Sequence, residues 1–257
     1  MPELPEVEHA VRRLRRALHK RTITGVELLH PSLRRRLPAP VVAALRGARV
    51  AAVERRGKHQ LIRLADGRVL HAHFRMTGDW VVAPSGAPLP RFARAVFTLD
   101  DGRRLVLDDS RALATLDVHP ADAPVHLALG VEPMDPQLTP DHLHACLAAR
   151  RGPIKSALLD QRVIAGLGNI YAAEALWRAR ISPRARASSL SRARLMPLIA
   201  AVRAVIARAT GARYTDAGAA RLNVYDREGL PCRRCRTPIR RIVQSGRSTY
   251  YCPRCQR

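Results

Sequence analysis

Apolar residues recur at helical spacing near the start of the chain. Val7, Val11, Leu14 and Leu18 lie three or four positions apart, with acidic residues before them and arginines after them. Acidic side chains near the beginning of a helix and basic ones near its end suit the helix dipole. The pattern predicts one amphipathic helix over residues 3–20.

Short alternating or β-branched runs follow this helix. Asp66-Gly67 and Asp101-Gly102 stand between such runs, and this pairing is typical of hairpin turns. The pattern predicts a mostly antiparallel β-sandwich. Its strands are expected at residues 23–29, 50–56, 60–64, 69–74, 79–82, 94–99 and 105–107.

The second half of the chain has a different period. Residues 131–140 contain three prolines and little periodicity, so we expect an interdomain linker there. Helical spacing then predicts helices over residues 141–149, 154–161, 169–179 and 191–210. Asn169 stands where a cap of the third of these helices is expected.

Four cysteines fall within the last 26 residues. Cys232 and Cys235 are separated by two residues, as are Cys252 and Cys255, and sixteen residues lie between the pairs. This spacing is typical of a two-knuckle site in which four thiolates hold one structural Zn²⁺. Disulfides are the alternative, and they are rare in cytosolic proteins.

These patterns together predict an α+β protein. We expect an N-terminal helix and β-sandwich domain over 1–130, a linker over 131–140, a helical domain over 141–228 and a β-hairpin zinc finger over 229–257.

The net charge changes the picture of function. The chain has 45 basic and 21 acidic residues, giving +24, and this surplus favours a polyanionic partner such as nucleic acid. A generally arginine-rich composition with solvated helix faces is the alternative. No apolar run reaches the roughly 18 residues that span a bilayer, and the acidic start is unlike a signal peptide. We therefore expect a soluble intracellular protein.

The first residues carry candidate chemistry. Removal of Met1 would leave Pro2 with a free secondary amine, directly followed by the carboxylate of Glu3. An unperturbed α-amino group has a pKa of about 7.7–8.0, so part of it is neutral near pH 7 and able to attack an aldehyde-like carbon. An ordinary helix start is the alternative, because proline and glutamate are common there.

Further motifs extend this pattern. They are the Arg-Arg-Gly-Lys turn at 55–58, the strand end at 71–78, the Asp-Ser-Arg-Ala-Leu-Ala stretch at 109–114, the helix–Gly-x-Gly–helix block at 154–174, and the hairpin at 244–248. Each alone fits a charged turn, a strand end or a helical hairpin. The glycines at 166 and 168 would let backbone N–H groups approach a phosphate.

Taken with the string at residues 2–8, these motifs resemble the formamidopyrimidine-DNA glycosylases over essentially the whole chain. The resemblance implies a glycosylase with AP-lyase activity, a helix-two-turn-helix element, a monomer that binds double-stranded DNA with oxidised bases or abasic sites, and a bacterial cytoplasmic, nucleoid-associated location. It implies catalytic roles for Pro2, Glu3 and Lys58. It implies DNA contacts by His73, Met76, Arg111, Leu113, Lys155, Asn169 and Arg247.

Two departures from the family pattern bear on the substrate. Leu113 and Ala114 stand where the family has an aromatic wedge and a glycine, and residues 211–220 leave room for only a short loop over an extruded base. Oxidised purines are the expected substrates. An endonuclease VIII-like preference for oxidised pyrimidines is one alternative, and a non-catalytic zinc-containing DNA-binding protein is another.

Overall fold

A computed structural model describes residues 2–123, 125–210 and 222–257. Its contacts divide the chain into two units. The first comprises Met1–Pro2 and Glu6–Leu127, and the second comprises Glu3–Pro5 and Ala128–Arg257. The three residues that follow Pro2 therefore group with the second half of the chain.

The first unit is a β-sandwich with helices. Its helices are α1 (Leu4–Leu18, whose first two residues group with the second unit), α2 (Pro31–Arg36) and α3 (Ala39–Ala44). Its strands are β1 (Ile23–Leu28), β2 (Val50–Arg56), β3 (His59–Leu64), β4 (Val69–His73), β5 (Asp79–Ala83), β6 (Ala93–Leu99), β7 (Arg104–Asp108) and β8 (Thr115–His119). They form two antiparallel sheets in the orders β1-β6-β7-β5 and β2-β3-β4-β8.

One apolar core holds this unit together. The periodic residues of α1, among them Val11 and Leu14, are buried with Trp80 and Phe97 from the strands. Along β4, Leu70 and Ala72 face this core, whereas His71 and His73 lie on the other face because side chains alternate along a strand.

The second unit is helical and ends in a hairpin. Its helices are α4 (Pro140–Leu147), α5 (Ile154–Leu159), α6 (Asn169–Arg178) and α7 (Arg192–Ala209), and its strands are β9 (Arg240–Gln244) and β10 (Arg247–Tyr251). None of the helices in the described residues has the length and apolar character needed to cross a bilayer.

The structure confirms the expected α+β fold. The helices α2 and α3 and the strand β8 were not predicted. The short loop expected at 211–220 lies outside the described residues. The four-part division of the chain stays a prediction.

Candidate active site and nucleic-acid interface

Glu3 lies at the beginning of α6. Its side chain is almost fully buried, Oε1 accepts a hydrogen bond from the Ile170 N–H at 2.8 Å, and Oε2 accepts one from the Tyr171 N–H at 3.3 Å. These are two of the amides that a helix leaves unpaired in its first turn. The expectation that Asn169 caps this helix is wrong. Gly168 holds the cap position, and the helix N–H groups are bound instead by the carboxylate of Glu3, which lies 167 residues before Ile170 in the chain.

The two glycines before α6 make room for the N-terminal segment. A Cβ on Gly168 would lie 2.3 Å from Glu3 Cδ, and one on Gly166 would lie 2.5 Å from Leu4 Cδ1. Gly166 also has a φ of +85°, and its carbonyl accepts the Leu4 N–H at 3.1 Å. In the structure the two glycines make room for Glu3 and Leu4, while their role in approaching a phosphate stays a prediction.

Lys155 and Asn169 both bind the beginning of β10. Lys155 Nζ donates to the Ser248 carbonyl at 3.0 Å and to Thr249 Oγ1 at 2.6 Å, and Asn169 Nδ2 donates to the same carbonyl at 3.1 Å. Burial, with the neighbouring Arg247 cation, lowers the pKa of Lys155 to about 8. These contacts position the exposed Arg247, which directly precedes Ser248.

Glu174 holds residues 223–225 in place. Its buried carboxylate accepts the backbone N–H groups of Asn223, Val224 and Tyr225 at 2.8–3.1 Å, and Asn223 Nδ2 at 2.7 Å. Glu174, Asn223 and Tyr171 line a cavity of about 450 Å³. The carboxylate thus holds one wall of that cavity.

In the first unit, an arginine orders the turn before Lys58. Arg55 Nε donates to Glu8 Oε2 at 2.9 Å, and Arg55 Nη1 donates to the Gly57 carbonyl at 3.0 Å. Burial alone would raise the pKa of Glu8, but the hydrogen bonds from Arg55 and Arg12 hold it below its usual value. Gly57 takes a φ of +58°, which favours glycine in this tight turn. Lys58 itself is buried.

His73 is an uncharged donor at neutral pH. Its Nδ1 accepts the Arg75 N–H at 3.0 Å, so the ring proton is on Nε2. Burial lowers the pKa of His73 to about 3, and the neighbouring His59, Arg75 and Lys58 add to this effect. A phosphate would therefore meet an N–H group here and not a cation.

Three more histidines continue from this point along the outer face of the sheet. His59 Nδ1 lies 2.8 Å from His71 Nε2, and His71 Nδ1 lies 3.3 Å from His119 Nε2. The sequence analysis gave a DNA contact to His73 and none to the other three histidines. The pairing of β3, β4 and β8 is what brings His59 and His119 beside His71 and His73.

Asp109 links the two loops that carry the predicted wedge residues. Its buried carboxylate accepts the N–H groups of Leu113 and Ala114, both at 2.7 Å, and the hydroxyl of Thr77. Leu113 is 43% exposed, and Met76, the neighbour of Thr77, is 37% exposed. In the sequence, Asp109 stood out only as the first residue of the motif at 109–114, and no role was assigned to it.

The four C-terminal cysteines form one cluster. All four Sγ atoms lie within 4.8 Å of one another, with Cys232–Cys255 at 4.0 Å and Cys235–Cys252 at 3.4 Å. Tetrahedral zinc at about 2.3 Å from each sulfur requires sulfurs about 3.8 Å apart, whereas a disulfide requires about 2.05 Å. The cysteines are therefore placed to bind a metal.

Comparison with known proteins identifies the family. Residues 1–116 match the formamidopyrimidine-DNA glycosylase N-terminal domain, 129–217 its H2TH domain, and 229–257 a zinc finger found in FPG and IleRS. A formamidopyrimidine-DNA glycosylase of Chloroflexus aggregans is 44% identical over 274 residues, an alignment that covers 100% of this chain and 98% of that protein.

The chain belongs to the formamidopyrimidine-DNA glycosylases.

Two solved structures of the Lactococcus lactis glycosylase resemble it throughout. One is a complex with Fapy-dG-containing DNA, with a TM-score of 0.92, 28% identity and coverage of 99% of this chain and 100% of that one. The other is bound non-covalently to AP-site DNA, with a TM-score of 0.90, 28% identity and coverage of 99% of both. The family predicted from the sequence is thus confirmed, while the roles of single residues in this glycosylase stay predictions.

Proposed function

We propose that this chain is a base-excision-repair glycosylase with AP-lyase activity, acting on oxidised purines in double-stranded DNA. The observation that carries the proposal is the position of the Glu3 carboxylate at the beginning of α6. A carboxylate held by two helix N–H groups directly follows a residue that can supply a secondary amine. One chain supplies every group in the proposal, so a monomer is sufficient for the activity.

Pro2 is the proposed nucleophile. Once Met1 is removed, its nitrogen attacks C1′ of the damaged nucleotide, and the base departs with the proton that the amine loses. The C1′–O4′ bond of the resulting aminal then breaks as O4′ takes a proton, which leaves an iminium ion that links protein and sugar. The positive charge acidifies the 2′ protons, so elimination of the 3′ phosphate and then of the 5′ phosphate follows. Lys58, a cation in the same unit as Pro2, would favour the neutral amine by lowering its pKa.

Glu3 is the proposed acid and base for the sugar atoms. General acid–base catalysis needs a carboxyl group at hydrogen-bond distance from the proton that moves. The bonds to Ile170 and Tyr171 fix its position before substrate arrives. This makes the helix N-terminus part of the catalytic machinery and not merely its support.

The remaining predicted residues hold the DNA. Arg247 and Lys58 offer cations to phosphates, whereas His73 and Asn169 offer neutral N–H donors, and Lys155 supports the hairpin beside Arg247. Met76 and Leu113 are exposed apolar side chains that suit the void left by an extruded nucleotide. Arg111, in the loop that carries Leu113, is proposed to contact the DNA there.

One Zn²⁺ held by Cys232, Cys235, Cys252 and Cys255 is the proposed structural cofactor. Four thiolates leave no open position for a water or substrate, so zinc would stabilise the knuckles without taking part in catalysis. The position of the hairpin tip, where Arg247 lies, would depend on these zinc-bound knuckles.

Borohydride trapping tests the proposed chemistry. Wild-type protein with an abasic-site duplex should give a covalent adduct whose digest places the DNA on Pro2. Pro2→Leu, in which a bulky second residue keeps Met1 in place, should bind the duplex and trap almost nothing. Equal trapping by the variant would refute the nucleophile. Duplex binding by the wild type with no adduct and no scission would instead favour the non-catalytic binding protein.

A panel of duplexes tests the substrate class. Formamidopyrimidine and 8-oxoguanine should be removed faster than dihydrothymine or thymine glycol. The reverse order would favour the endonuclease VIII-like alternative, with the iminium chemistry unchanged.

A further inference from the structure

Helix α6 contacts the cysteine cluster through a tryptophan. The indole Nε1–H of Trp177 donates to Cys232 Sγ at 3.4 Å, and the side chain is buried. An indole has this one donor and no acceptor. The hydrogen bond therefore favours the charged thiolate of Cys232, which is the form that binds a metal.

Arg234 holds the same indole from the other side. Its guanidinium carbon lies 4.3 Å from the centre of the Trp177 ring, Nη1 donates to the Trp177 carbonyl at 3.3 Å, and the Arg234 backbone N–H reaches Cys232 Sγ at 3.5 Å. The stacked cation fixes the plane of the ring and hence the direction of its N–H group. Cys232 thus receives one N–H from the helix and one from its own knuckle.

The other end of α6 holds Glu3. Ile170 and Trp177 are seven residues apart, which is about 10 Å along a helix. Ala173, between them, packs in one apolar cluster with Val224, Tyr250 and two of the cysteines. A single rigid element therefore joins the metal knuckle to the amides that bind the Glu3 carboxylate.

We propose that Trp177 is a positioning residue of the metal site, acting through its N–H group on the Cys232 thiolate. Partners that donate hydrogen bonds to metal ligands change metal affinity by about 10- to 100-fold when they are removed. The inference rests on the proposed zinc. Simple packing of a large ring in the apolar cluster is the competing explanation, and it depends on ring volume and not on the N–H group.

Trp177→Phe removes the donor and keeps an aromatic ring for Arg234 to stack on, but it also reduces the ring volume. Benzothienylalanine at position 177 replaces the N–H group by sulfur at nearly the same volume, so it separates the two explanations and should behave as Trp177→Phe does. On holoprotein, transfer of zinc to an excess of a chromogenic chelator should be about tenfold faster or more. Tyr250→Phe is the matched control. It removes the hydroxyl by which Tyr250, a member of the same apolar cluster, bonds Asp226 at 3.3 Å, keeps both N–H groups that reach Cys232, and should leave zinc transfer unchanged. Wild-type transfer by Trp177→Phe, or equal acceleration by both variants, would overturn the proposal.

A measurement on the unaltered protein covers the case in which the variant fails to fold. The chain has two tryptophans, and Trp80 Nε1 donates to Gln60 Oε1 in the other unit. When zinc is replaced by cadmium, the indole ¹⁵N–H resonance of Trp177 should shift and that of Trp80 should stay. A Trp177 resonance that does not respond to the metal would refute the hydrogen bond. Neither zinc transfer nor the indole resonance depends on turnover. Failure of the Trp177 proposal can therefore be distinguished from failure of the glycosylase proposal, which the trapping experiment tests.

Discussion

Gly168 has no side chain, and the Glu3 side chain occupies the space that a Cβ at this position would need. Because a Cβ there would lie 2.3 Å from Glu3 Cδ, Gly168→Ala must displace the carboxylate from the amides of α6. Misplacing a catalytic group by about 1 Å can cost about 100-fold in rate. We expect single-turnover trapping on an abasic-site duplex to slow by about that factor, with duplex affinity unchanged.

Gly152→Ala is the control for that substitution, since no atom lies within 4 Å of the Cβ it would add. It should trap at the wild-type rate. If Gly168→Ala also trapped at the wild-type rate, the position of the Glu3 carboxylate in the structure would not be the one used in catalysis.

Asp109 gives a second prediction for a single residue. Asp109→Ala leaves the N–H groups of Leu113 and Ala114 without their acceptor and separates Thr77 from the loop. A buried group without its partner costs about 1–3 kcal/mol, so the melting temperature should fall. The Leu113 loop should also lose its order. We expect weaker fluorescence from 2-aminopurine placed beside an abasic analogue, because the protein no longer unstacks the helix there. Leu113→Ala, which removes the wedge but not the anchor, should lose the fluorescence at the wild-type melting temperature.

At the scale of elements, the sequence predicted well where a long apolar period exists and poorly where contacts join distant segments. Helix α6 was expected over 169–179 and runs over Asn169–Arg178. Its cap was nevertheless wrongly assigned, because nothing in the local pattern reveals that Glu3 reaches it. The cysteine cluster was predictable since its spacing is a local signal, whereas the bond from Trp177 to Cys232 spans 55 residues and has none.

We predict that the sheet in which β3, β4 and β8 pair becomes less stable in acid. Burial, together with the neighbouring cations and imidazoles, lowers the pKa of His59 from 6.5 to about 4 and that of His73 to about 3. The facing groups are Lys58, Arg75, Arg36 and Asp117, and Asp117 is paired with Arg36 at 2.7 Å. The unfolded chain therefore binds more protons than the folded chain below pH 6.5. The stabilising contribution of neutral histidines is complete above that pH and is lost as the pH falls towards 4.

Melting temperatures at pH 7, 6 and 5 test this. His59→Gln should show a shallower decrease than the wild type, because one group of lowered pKa is gone. The control is His19→Gln, which changes the exposed histidine that directly follows α1. Its melting temperatures should follow the wild-type curve. Parallel curves for all three proteins would contradict the assignment.

At the scale of the whole molecule, the net charge of +24 predicts binding that weakens steeply with salt. Each phosphate neutralised by a cation adds about −0.9 to the slope of log K against log salt concentration, because counterions are released. The structure divides the proposed contacts by charge. Arg247 is an exposed cation at the hairpin, whereas Asn169 offers a neutral amide whose Nδ2 also holds Ser248.

Two variants should therefore weaken binding in different ways. Arg247→Ala should reduce the size of the slope by about one, while Asn169→Ala should lower affinity at every salt concentration and leave the slope unchanged. Affinity for a duplex with an uncleavable abasic analogue, measured between about 50 and 200 mM salt, distinguishes the two. Equal slopes for Arg247→Ala and the wild type would mean that Arg247 does not neutralise a phosphate. A reduced slope for Asn169→Ala would mean that its loss also releases Arg247 from the DNA. Such coupling is possible because Asn169 bonds the carbonyl of Ser248, the residue next to Arg247.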